Sequence, residues 1–250
     1  MRRNHIMAKV ISVALQKGGQ GKSTTAQCLS ANLGSLNYKV LLVDCDSQAN
    51  ITYSSGSTAE TTISDILSGE VQPVDAITPC KYYDLLAADE YLVNLEKSEI
   101  ENALLKEILD TVSDSYDFII IDTPPALGNL LKNAITASDY LIIPTEPRPY
   151  SLQGIQALSE TVFAINPTIK ILGILLIKYN PRTVLNRQIK GLLDELAENM
   201  DSSVFETCIR EGIAVPESQI MQQELIDYAP KSKPHQDYMK FTKEVIRRIK

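Results

Sequence analysis

The sequence contains no tryptophan and, in 250 residues, only two histidines and four cysteines. The cysteines are Cys28, Cys45, Cys80 and Cys208, and no two of them form a C-x-x-C pair. The spacing therefore predicts neither a zinc site nor a disulfide framework. Scattered cysteines of this kind are typical of small buried hydrophobic side chains in a reducing compartment.

Long apolar segments are also missing. No apolar run approaches the roughly 20 residues that a membrane-spanning helix needs, and residues 1–7 contain two arginines with no apolar stretch behind them to serve as an export signal. We therefore expect a cytoplasmic protein with no membrane partner, in which residues 1–7 form a disordered extension. The formal net charge of −7 argues against a surface coated with nucleic-acid-binding charge, so any DNA binding must come from a local basic patch.

The apolar pattern predicts the fold class. With 44% apolar residues, the chain is long enough for one α/β core, and we predict a single domain over residues 1–250. Continuous apolar runs, typical of strands buried on both faces, lie at residues 9–15, 39–44, 117–122, 140–144 and 169–177. Amphipathic stretches that predict helices lie at residues 23–36, 98–112, 151–165 and 184–200. This alternation predicts a doubly wound, mostly parallel sheet with helices on both faces, which binds ligands beyond the carboxyl ends of its strands.

A glycine-rich loop follows the first predicted strand and runs directly into a predicted helix. Its glycines let successive N–H groups point at phosphate oxygens, and the helix N-terminus adds partial positive charge. A glycine-rich turn without function would need neither the strand before it nor the helix after it. We predict that Lys22 reaches the β- and γ-phosphates of ATP and that the Ser23 hydroxyl ligates Mg²⁺. The predicted nucleotide-binding residues of this loop are Lys17, Gly18, Gly19, Gln20, Gly21, Lys22, Ser23 and Thr24.

The loop departs from the ordinary G-x-x-x-x-G-K-[ST] pattern at its start, where Gln16 replaces the first glycine and a second lysine, Lys17, follows. In this form the sequence resembles the ParA/MinD group of P-loop ATPases. The resemblance implies that Lys17 reaches across a dimer interface to the phosphates of the partner's nucleotide, supplying in trans the charge that an arginine finger supplies elsewhere. ATP would then hold together an ATP-dependent homodimer.

Three aspartates close predicted strands. The segment at residues 44–50, D-C-D-S-Q-A-N, resembles the family's D-x-D-P-Q-G-N, which implies that Asp46 orients the attacking water and that Asp44 helps to hold the magnesium shell. Asp122 ends the apolar run at residues 118–121, a pattern typical of the Walker B acid that holds a Mg²⁺-bound water. An Asp-x-Asp pair alone is also common in solvated turns, but its place after the phosphate loop favours the metal site. The catalytic candidates are Lys17, Lys22 and Asp46, and the metal candidates are Ser23, Asp44 and Asp122.

The resemblance spans nearly the whole chain. Residues 143–146 (I-P-T-E) are similar to the family's I-P-V-Q, residues 173–183 (G-I-L-L-I-K-Y-N-P-R-T) to G-V-L-L-T-M-Y-D-x-R-T, and residues 228–233 (Y-A-P-K-S-K) to Y-D-P-K-S-K. In related ATPases the asparagine of a Y-N-P segment contacts adenine, so Asn180 is the base-pocket candidate, with a turn-forming asparagine before proline as the alternative.

Residues 209–215 (I-R-E-G-I-A-V) depart from the family's I-P-R-N-V-R-L. Two basic positions are lost and only Arg210 is added, so we expect the pocket wall and the DNA-facing surface to differ from the family pattern.

The resemblance also implies a function. It implies a slow, partner-stimulated ATPase that partitions plasmid, chromosome or mobile-element DNA together with a ParB-like centromere-binding protein. The resemblance also implies that the ATP dimer binds non-specific DNA and associates with the nucleoid. Basic residues late in the chain are candidates for a DNA surface that grips phosphates without reading sequence, although such residues often form only a solvated face. They are Arg182, Arg187, Lys190, Arg210, Lys231, Lys233, Lys240, Lys243, Arg247, Arg248 and Lys250.

Alternatives remain open at this point. MinD-like relatives end in a basic amphipathic membrane anchor, and Tyr238, Phe241, Val245 and Ile249 share one helical face, but packing against the sheet explains that spacing equally well. A metabolic P-loop ligase, such as a cobyrinate amidating enzyme, would need a substrate pocket in place of a dimer face. An iron–sulfur carrier would need a C-x-x-C pair. An ATPase that positions organelles or protein complexes would share every motif and differ only in cargo.

Overall fold

The computed structural model describes residues 7–97 and 101–250. Of the extension expected at residues 1–7, only Met7 falls within these ranges, and the other residues lie outside them. Within them, seven strands form one sheet in the order β3-β4-β2-β5-β1-β6-β7, and every neighbouring pair is parallel except β3 with β4. The strands are β1 Lys9–Val13, β2 Val40–Asp44, β3 Ile77–Pro79, β4 Asp84–Leu86, β5 Phe118–Asp122, β6 Tyr140–Thr145 and β7 Lys170–Leu176. The predicted mostly parallel sheet is therefore confirmed.

Helices connect the strands and cover both faces of the sheet. In chain order they are α1 Lys22–Ser35, α2 Asn50–Ser54, α3 Ile63–Leu67, α4 Pro73–Ala76, α5 Leu92–Lys97, α6 Leu104–Asp110, α7 Asn129–Ala137, α8 Ser151–Ile165, α9 Val184–Glu198, α10 Ala214–Ile220, α11 Leu225–Tyr228 and α12 Lys233–Ile249, with a 3-10 turn at Ser113–Ser115. All five predicted strands, and three of the four predicted helices, are present with ends within two residues of the prediction.

The central strand β5 shows how the core is divided. Phe118 and Ile120 point to the face covered by α1 and α12, while Ile119 and Ile121 point to the face covered by α3, α6 and α7. Every residue of β5 is buried, as is every residue of β2. This burial on both faces explains why these strands read as continuous apolar runs rather than as alternating patterns.

The prediction of a helix over residues 98–112 was wrong in its extent. Residues 98–100 lie outside the described ranges, a turn precedes α6, and α6 covers only Leu104–Asp110. The Asn133 side chain of α7 accepts a hydrogen bond from the N–H of Leu105 at 3.0 Å, which caps the first turn of α6 at this point. The N–H groups of Thr111 and Val112 then bond three residues back, to Ile108 and Leu109, and end the α-helical pattern.

The apolar face of the last helix is used for packing. Tyr238, Phe241 and Val245 of α12 are at most 2% exposed, and the Phe241 ring meets the ring of Phe205 edge-on at 4.8 Å. This face is therefore covered by the core, which confirms the packing explanation for its spacing. Among the described helices, none combines the length and the apolar content needed to cross a membrane.

Candidate functional site

The glycine-rich loop leaves the carboxyl end of β1, between β5 and β6, and ends at α1. Gly19 and Gly21 have φ angles of +73° and +68°, in the left-handed region that favours glycine. A Cβ on Gly21 would also lie 2.6 Å from Cδ1 of Ile177, just after β7. No side chain caps the N-terminus of α1, which leaves its first N–H groups free to bind an anion.

The two lysines of the loop lie in different environments. Lys22 is 6% exposed and lines a cavity together with the rest of residues 18–24, whereas Lys17 is exposed and does not line it. Burial lowers the pKa of Lys22, and the nearby carboxylates of Asp122 and Asp46 partly oppose this effect. Lys22 thus lies in the cavity beside its own loop, while Lys17 lies outside that cavity.

Two further side chains of the loop are anchored by distant parts of the chain. Oε1 of Gln20 accepts a hydrogen bond from the N–H of Glu146, at the end of β6, at 3.1 Å. The hydroxyl of Thr24 accepts one from Nε2 of Gln219, in α10, at 3.0 Å. The side chains of Gln20 and Thr24 are therefore occupied by protein contacts, which leaves their backbone N–H groups as the atoms that could meet phosphate.

Asp44 and Asp122 lie side by side at the ends of β2 and β5, and neither is exposed. The carboxylate of Asp44 accepts hydrogen bonds from the N–H and hydroxyl of Thr52 at 3.1 and 3.0 Å and from the N–H of Asp46 at 3.2 Å. Burial nevertheless raises the pKa of Asp44 to about 6. The hydrogen bonds to Asp44 therefore offset only part of the free-energy cost of burying its ionised carboxylate.

Asp122 is less well compensated. Burial and the adjacent Asp44 raise the pKa of Asp122 well above its ordinary value, against the opposing effects of Ser23 and Lys22. Both carboxylate oxygens are buried, and among the described residues only the Ser23 hydroxyl comes near enough to favour the charged form by hydrogen bonding. A buried carboxylate with so few partners is costly, and a divalent cation with its bound water would offset that cost.

These residues fit magnesium. Across residues 7–97 and 101–250, no three His, Cys, Asp or Glu side chains lie close enough to hold a metal alone. Magnesium is usually held by one or two carboxylates together with waters and substrate phosphates rather than by an all-protein cage. Buried Asp44 and Asp122, beside the Ser23 hydroxyl and a phosphate-binding loop, provide that kind of donor set.

Asp46 lies in the turn after β2 and lines the cavity, with 6% exposure. Its Oδ1 accepts a hydrogen bond from the N–H of Gln48 at 3.0 Å, and its carbonyl accepts one from the N–H of Ala49 at 2.8 Å. Ala49 has φ of 49° and ψ of 37°, the left-handed conformation. The family's glycine at this position suits that conformation, so the turn forms here with alanine under strain.

We expect Ala49→Gly to raise the free energy of unfolding by about 0.5–1 kcal/mol. The left-handed conformation costs a residue with a Cβ roughly 1–2 kcal/mol, and the greater freedom of glycine in the unfolded chain takes back about 0.4–1 kcal/mol. Urea denaturation measures the difference. The matched control is Ala157→Gly, at an exposed position inside α8, which should lower stability. A similar loss for both variants would contradict the strain at Ala49.

The cavity has a volume of about 1010 Å³, enough for a nucleotide. The phosphate loop and Asp46 form one side, and residues 209–220, rich in apolar side chains, form much of the other. Tyr53 and Ile220, which also line it, are 60% and 70% exposed. The departure from the family pattern at residues 209–215 was the one signal in the sequence for this second wall, and neither α10 nor Tyr53 was predicted to line it.

Asn180, the predicted base contact, is exposed and is not among the residues that line the cavity. Its Oδ1 accepts a hydrogen bond from the N–H of Arg182 at 3.0 Å, and its carbonyl accepts one from the N–H of Thr183 at 3.2 Å. The side chain thus forms the local turn that was the alternative interpretation. Contact with adenine remains a prediction.

The basic residues considered for DNA divide into two groups. Arg210 forms two hydrogen bonds of 2.7 Å to Asp237, and Arg248 bonds the carbonyl of Leu172 at 2.7 Å and stacks 4.0 Å from the ring centroid of Phe205. These two arginines therefore stabilise the fold. The exposed members include Arg182, Lys231, Lys233, Lys240, Lys243 and Lys250.

Comparisons with known proteins agree with this geometry. A family model described as an AAA domain matches residues 8–172. The chain is 33% identical to the chromosome-partitioning ATPase Soj of Thermus thermophilus, over 98% of both chains, and 34% identical to the sporulation initiation inhibitor protein Soj of Bacillus subtilis, over 96% of this chain and 98% of that one. Among solved structures it is similar to cobyrinic acid a,c-diamide synthase of Mycobacterium smegmatis with bound ADP and magnesium, with a TM-score of 0.82, 29% identity, and 96% and 95% of the two chains covered.

Proposed function

Since this chain belongs to the Soj/ParA family of partitioning ATPases, we propose that it is an ATP-dependent, DNA-binding ATPase that dimerises on ATP and segregates plasmid, chromosome or mobile-element DNA with a ParB-like partner. It works as one domain over residues 1–250, takes ATP and Mg²⁺, and hydrolyses ATP to ADP and phosphate. The observation that carries the proposal is a single sheet edge that combines an uncapped phosphate loop, buried acids and an exposed lysine outside the cavity.

The phosphate end of the nucleotide lies against residues 18–24. Lys22 is buried there with two carboxylates in its surroundings, and it donates to the β- and γ-phosphate oxygens. Ser23, Asp44 and Asp122 hold the magnesium ion directly or through its waters. When bound, the ion spreads the negative charge that develops on the phosphates during transfer.

Asp46 positions the water that attacks the γ-phosphate. One of its oxygens is fixed by the N–H of Gln48 at 3.0 Å, which orients the carboxylate at the wall of the cavity. Holding the water in line with the scissile bond removes much of the entropic cost of the reaction.

Dimerisation brings Lys17 of one subunit to the nucleotide of the other. Lys17 is exposed at the edge of the sheet where Leu127 and Tyr150, after β5 and β6, are 52% and 75% exposed. Exposed apolar side chains beside a binding site are typical of an interaction surface. A useful switch requires ATP to favour the dimer by a few kcal/mol, and contacts of Lys17 with the partner's phosphates supply part of this difference.

DNA binding then arises from the paired subunits. The chain carries a net charge of −7, so one subunit offers only a local basic patch, whereas two patches on a dimer contact more phosphates at once. Candidates on exposed surface are Arg182, Lys231, Lys233, Lys240 and Lys243. Binding of this kind is independent of sequence and weakens steeply with salt.

The proposal is tested by measuring retention of the full chain on non-specific DNA with Mg²⁺·ATP, with Mg²⁺·ADP and without nucleotide. We expect retention at moderate salt only with ATP, together with a doubling of mass in sedimentation. The ADP sample is the matched control because it fills the same cavity without the γ-phosphate. Equal retention in all three samples, or a monomer under every condition, would overturn the switch.

A metabolic ligase is the second candidate, favoured by the similarity to cobyrinic acid a,c-diamide synthase and by a cavity with room beyond the phosphate loop. A ligase completes its chemistry in a substrate pocket and needs no lysine directed out of that pocket. An ATPase that positions other cargo would behave as proposed except for the DNA. ATP-dependent dimerisation separates the ligase from both switch candidates, and DNA retention separates the two switches.

A further inference from the structure

Three charged side chains form an ion cluster beside the phosphate loop that the proposed cycle does not use. Glu146, after β6, is 6% exposed, and its Oε1 lies 2.7 Å from Nζ of Lys178, after β7. Its Oε2 accepts a hydrogen bond from Nε of Arg148 at 2.6 Å and forms an ion pair with Nη2 of the same side chain, also at 2.6 Å. Burial alone would raise the pKa of Glu146, but the bonds to Lys178 and Arg148 hold it below its ordinary value, so the carboxylate stays charged.

This cluster is coupled to the phosphate loop at two points. The backbone N–H of Glu146 donates to the side chain of Gln20, and the Ile177 side chain reaches the α-carbon region of Gly21 so closely that a Cβ there would lie 2.6 Å away. Lys178, the next residue, lines the cavity. Lys178 therefore lies on the same cavity as residues 18–24 of the loop, while its ammonium group is held by Glu146.

The backbone at Lys178 is unusual. Its φ of 49° is in the left-handed region, which a residue with a Cβ adopts only when its surroundings enforce it. Such strain concentrates at sites where a side chain must be presented in one direction. At Lys178 the strain turns the chain at the end of β7 so that the lysine meets both Glu146 and the cavity.

The charges of the cluster do not balance. Two cations share one carboxylate, and Lys178 and Arg148 remain 49% and 61% exposed. Arg148 contacts the other oxygen, Oε2, so the carboxylate keeps one cation beside it if the lysine leaves Oε1.

We propose that Lys178 is a positioning residue for the phosphates that ATP and ADP share, moving from Glu146 to the α- or β-phosphate when the nucleotide binds while Arg148 keeps Glu146 compensated. The inference rests on the proposed nucleotide site. Glu146 holds the Lys178 ammonium group in place before the nucleotide binds, so part of the entropic cost of ordering that side chain has already been met. Glu146 also competes with the phosphates for the same ammonium group.

The test is calorimetric titration of the full-length Lys178→Met variant with ADP and with a non-hydrolysable ATP analogue, both with magnesium. We expect both affinities to fall about tenfold, the usual effect of losing one charge-assisted hydrogen bond. Lys178→Arg should stay within about threefold of wild type, because it keeps the charge. Glu146→Gln should bind about two- to fivefold more tightly, because it releases the lysine.

A matched control is Lys106→Met, which removes a lysine of similar exposure that pairs with Asp110 at 2.9 Å in α6, away from the site. It should bind like wild type. The affinity of Lys178→Met should also depend less on salt than that of wild type, which a purely structural role would not produce.

Unchanged affinity for Lys178→Met, a loss confined to the ATP analogue, or equal losses for Lys178→Met, Lys178→Arg and Glu146→Gln would overturn the inference and leave the proposed function intact. Failure of the wild type to bind either nucleotide would instead sink the proposed function itself.

Discussion

Lys17→Ala is expected to abolish ATP-dependent dimerisation and, with it, retention on DNA, while each subunit still binds ATP within about threefold of wild type. The reason is geometric: Lys17 is exposed and lies outside the cavity that its own loop lines, whereas Lys22 lies inside it. A symmetric dimer loses two cross-interface contacts per mutation. At about 1.5–3 kcal/mol for each hydrogen bond to a charged group, the dimer should weaken at least 100-fold.

Sedimentation with Mg²⁺·ATP and retention on DNA measure this effect, and fluorescence titration of ATP measures the intact site. Lys39→Ala is the matched control, because Lys39 is also exposed but precedes β2, at the opposite end of the sheet. A Lys17→Ala protein that still dimerises with ATP would remove the trans role of Lys17. If the Lys17→Ala protein instead fails to bind ATP as a single subunit, Lys17 contacts the nucleotide of its own subunit.

Asp46→Ala is expected to act in the opposite direction, reducing ATP hydrolysis by about 100-fold or more while prolonging the ATP-bound dimer on DNA. Asp46 is the cavity-lining acid of its turn, whereas Asp44 and Asp122 are fully buried behind it. Its loss should remove the group proposed to orient the water but leave the phosphate loop and the proposed magnesium acids, Asp44 and Asp122, in place. The nucleotide should therefore bind and stay.

Phosphate release and DNA dissociation rates give the two readouts. Asp46→Asn separates charge from turn geometry, because an amide oxygen can still accept the Gln48 N–H. It should lose hydrolysis as the alanine variant does, while Ser47→Ala, in the same turn, should keep it within a few-fold. Hydrolysis retained by both Asp46 variants would show that another group orients the water. Rapid release of DNA by Asp46→Ala would contradict the coupling of hydrolysis to release.

Much of the central site was predictable because its determinants are contiguous. The phosphate loop is set by glycines, one lysine and a helix start within nine residues, and the two φ angles near +70° at Gly19 and Gly21 are a local property of the backbone. The acids were predictable because a fully buried apolar run ends in each case at Asp44 or Asp122, and parallel strands bring those ends together. Short β3 and β4, three residues each, carry too little pattern to be recognised.

The far wall of the cavity was not predictable in the same way. Gln219 of this wall meets Thr24 of the phosphate loop across 195 positions of sequence. The anchor of the same loop at Glu146 is also remote, 126 positions from Gln20. Likewise, the runs of basic residues gave no indication that Arg210 would bond Asp237, or that Arg248 would lie over Phe205, while other basic residues stayed exposed.

The sheet, the phosphate loop and the acids at the strand ends follow from short stretches of sequence, because hydrophobic periodicity and backbone preference act over a few residues. Three features follow from the assembled fold instead: which lysine lies in the cavity, which polar side chains anchor the loop, and the contact of Lys178 with Glu146. Those outcomes depend on how separate strands and helices are placed against one another, and side chains more than a hundred residues apart meet only once the whole sheet has assembled.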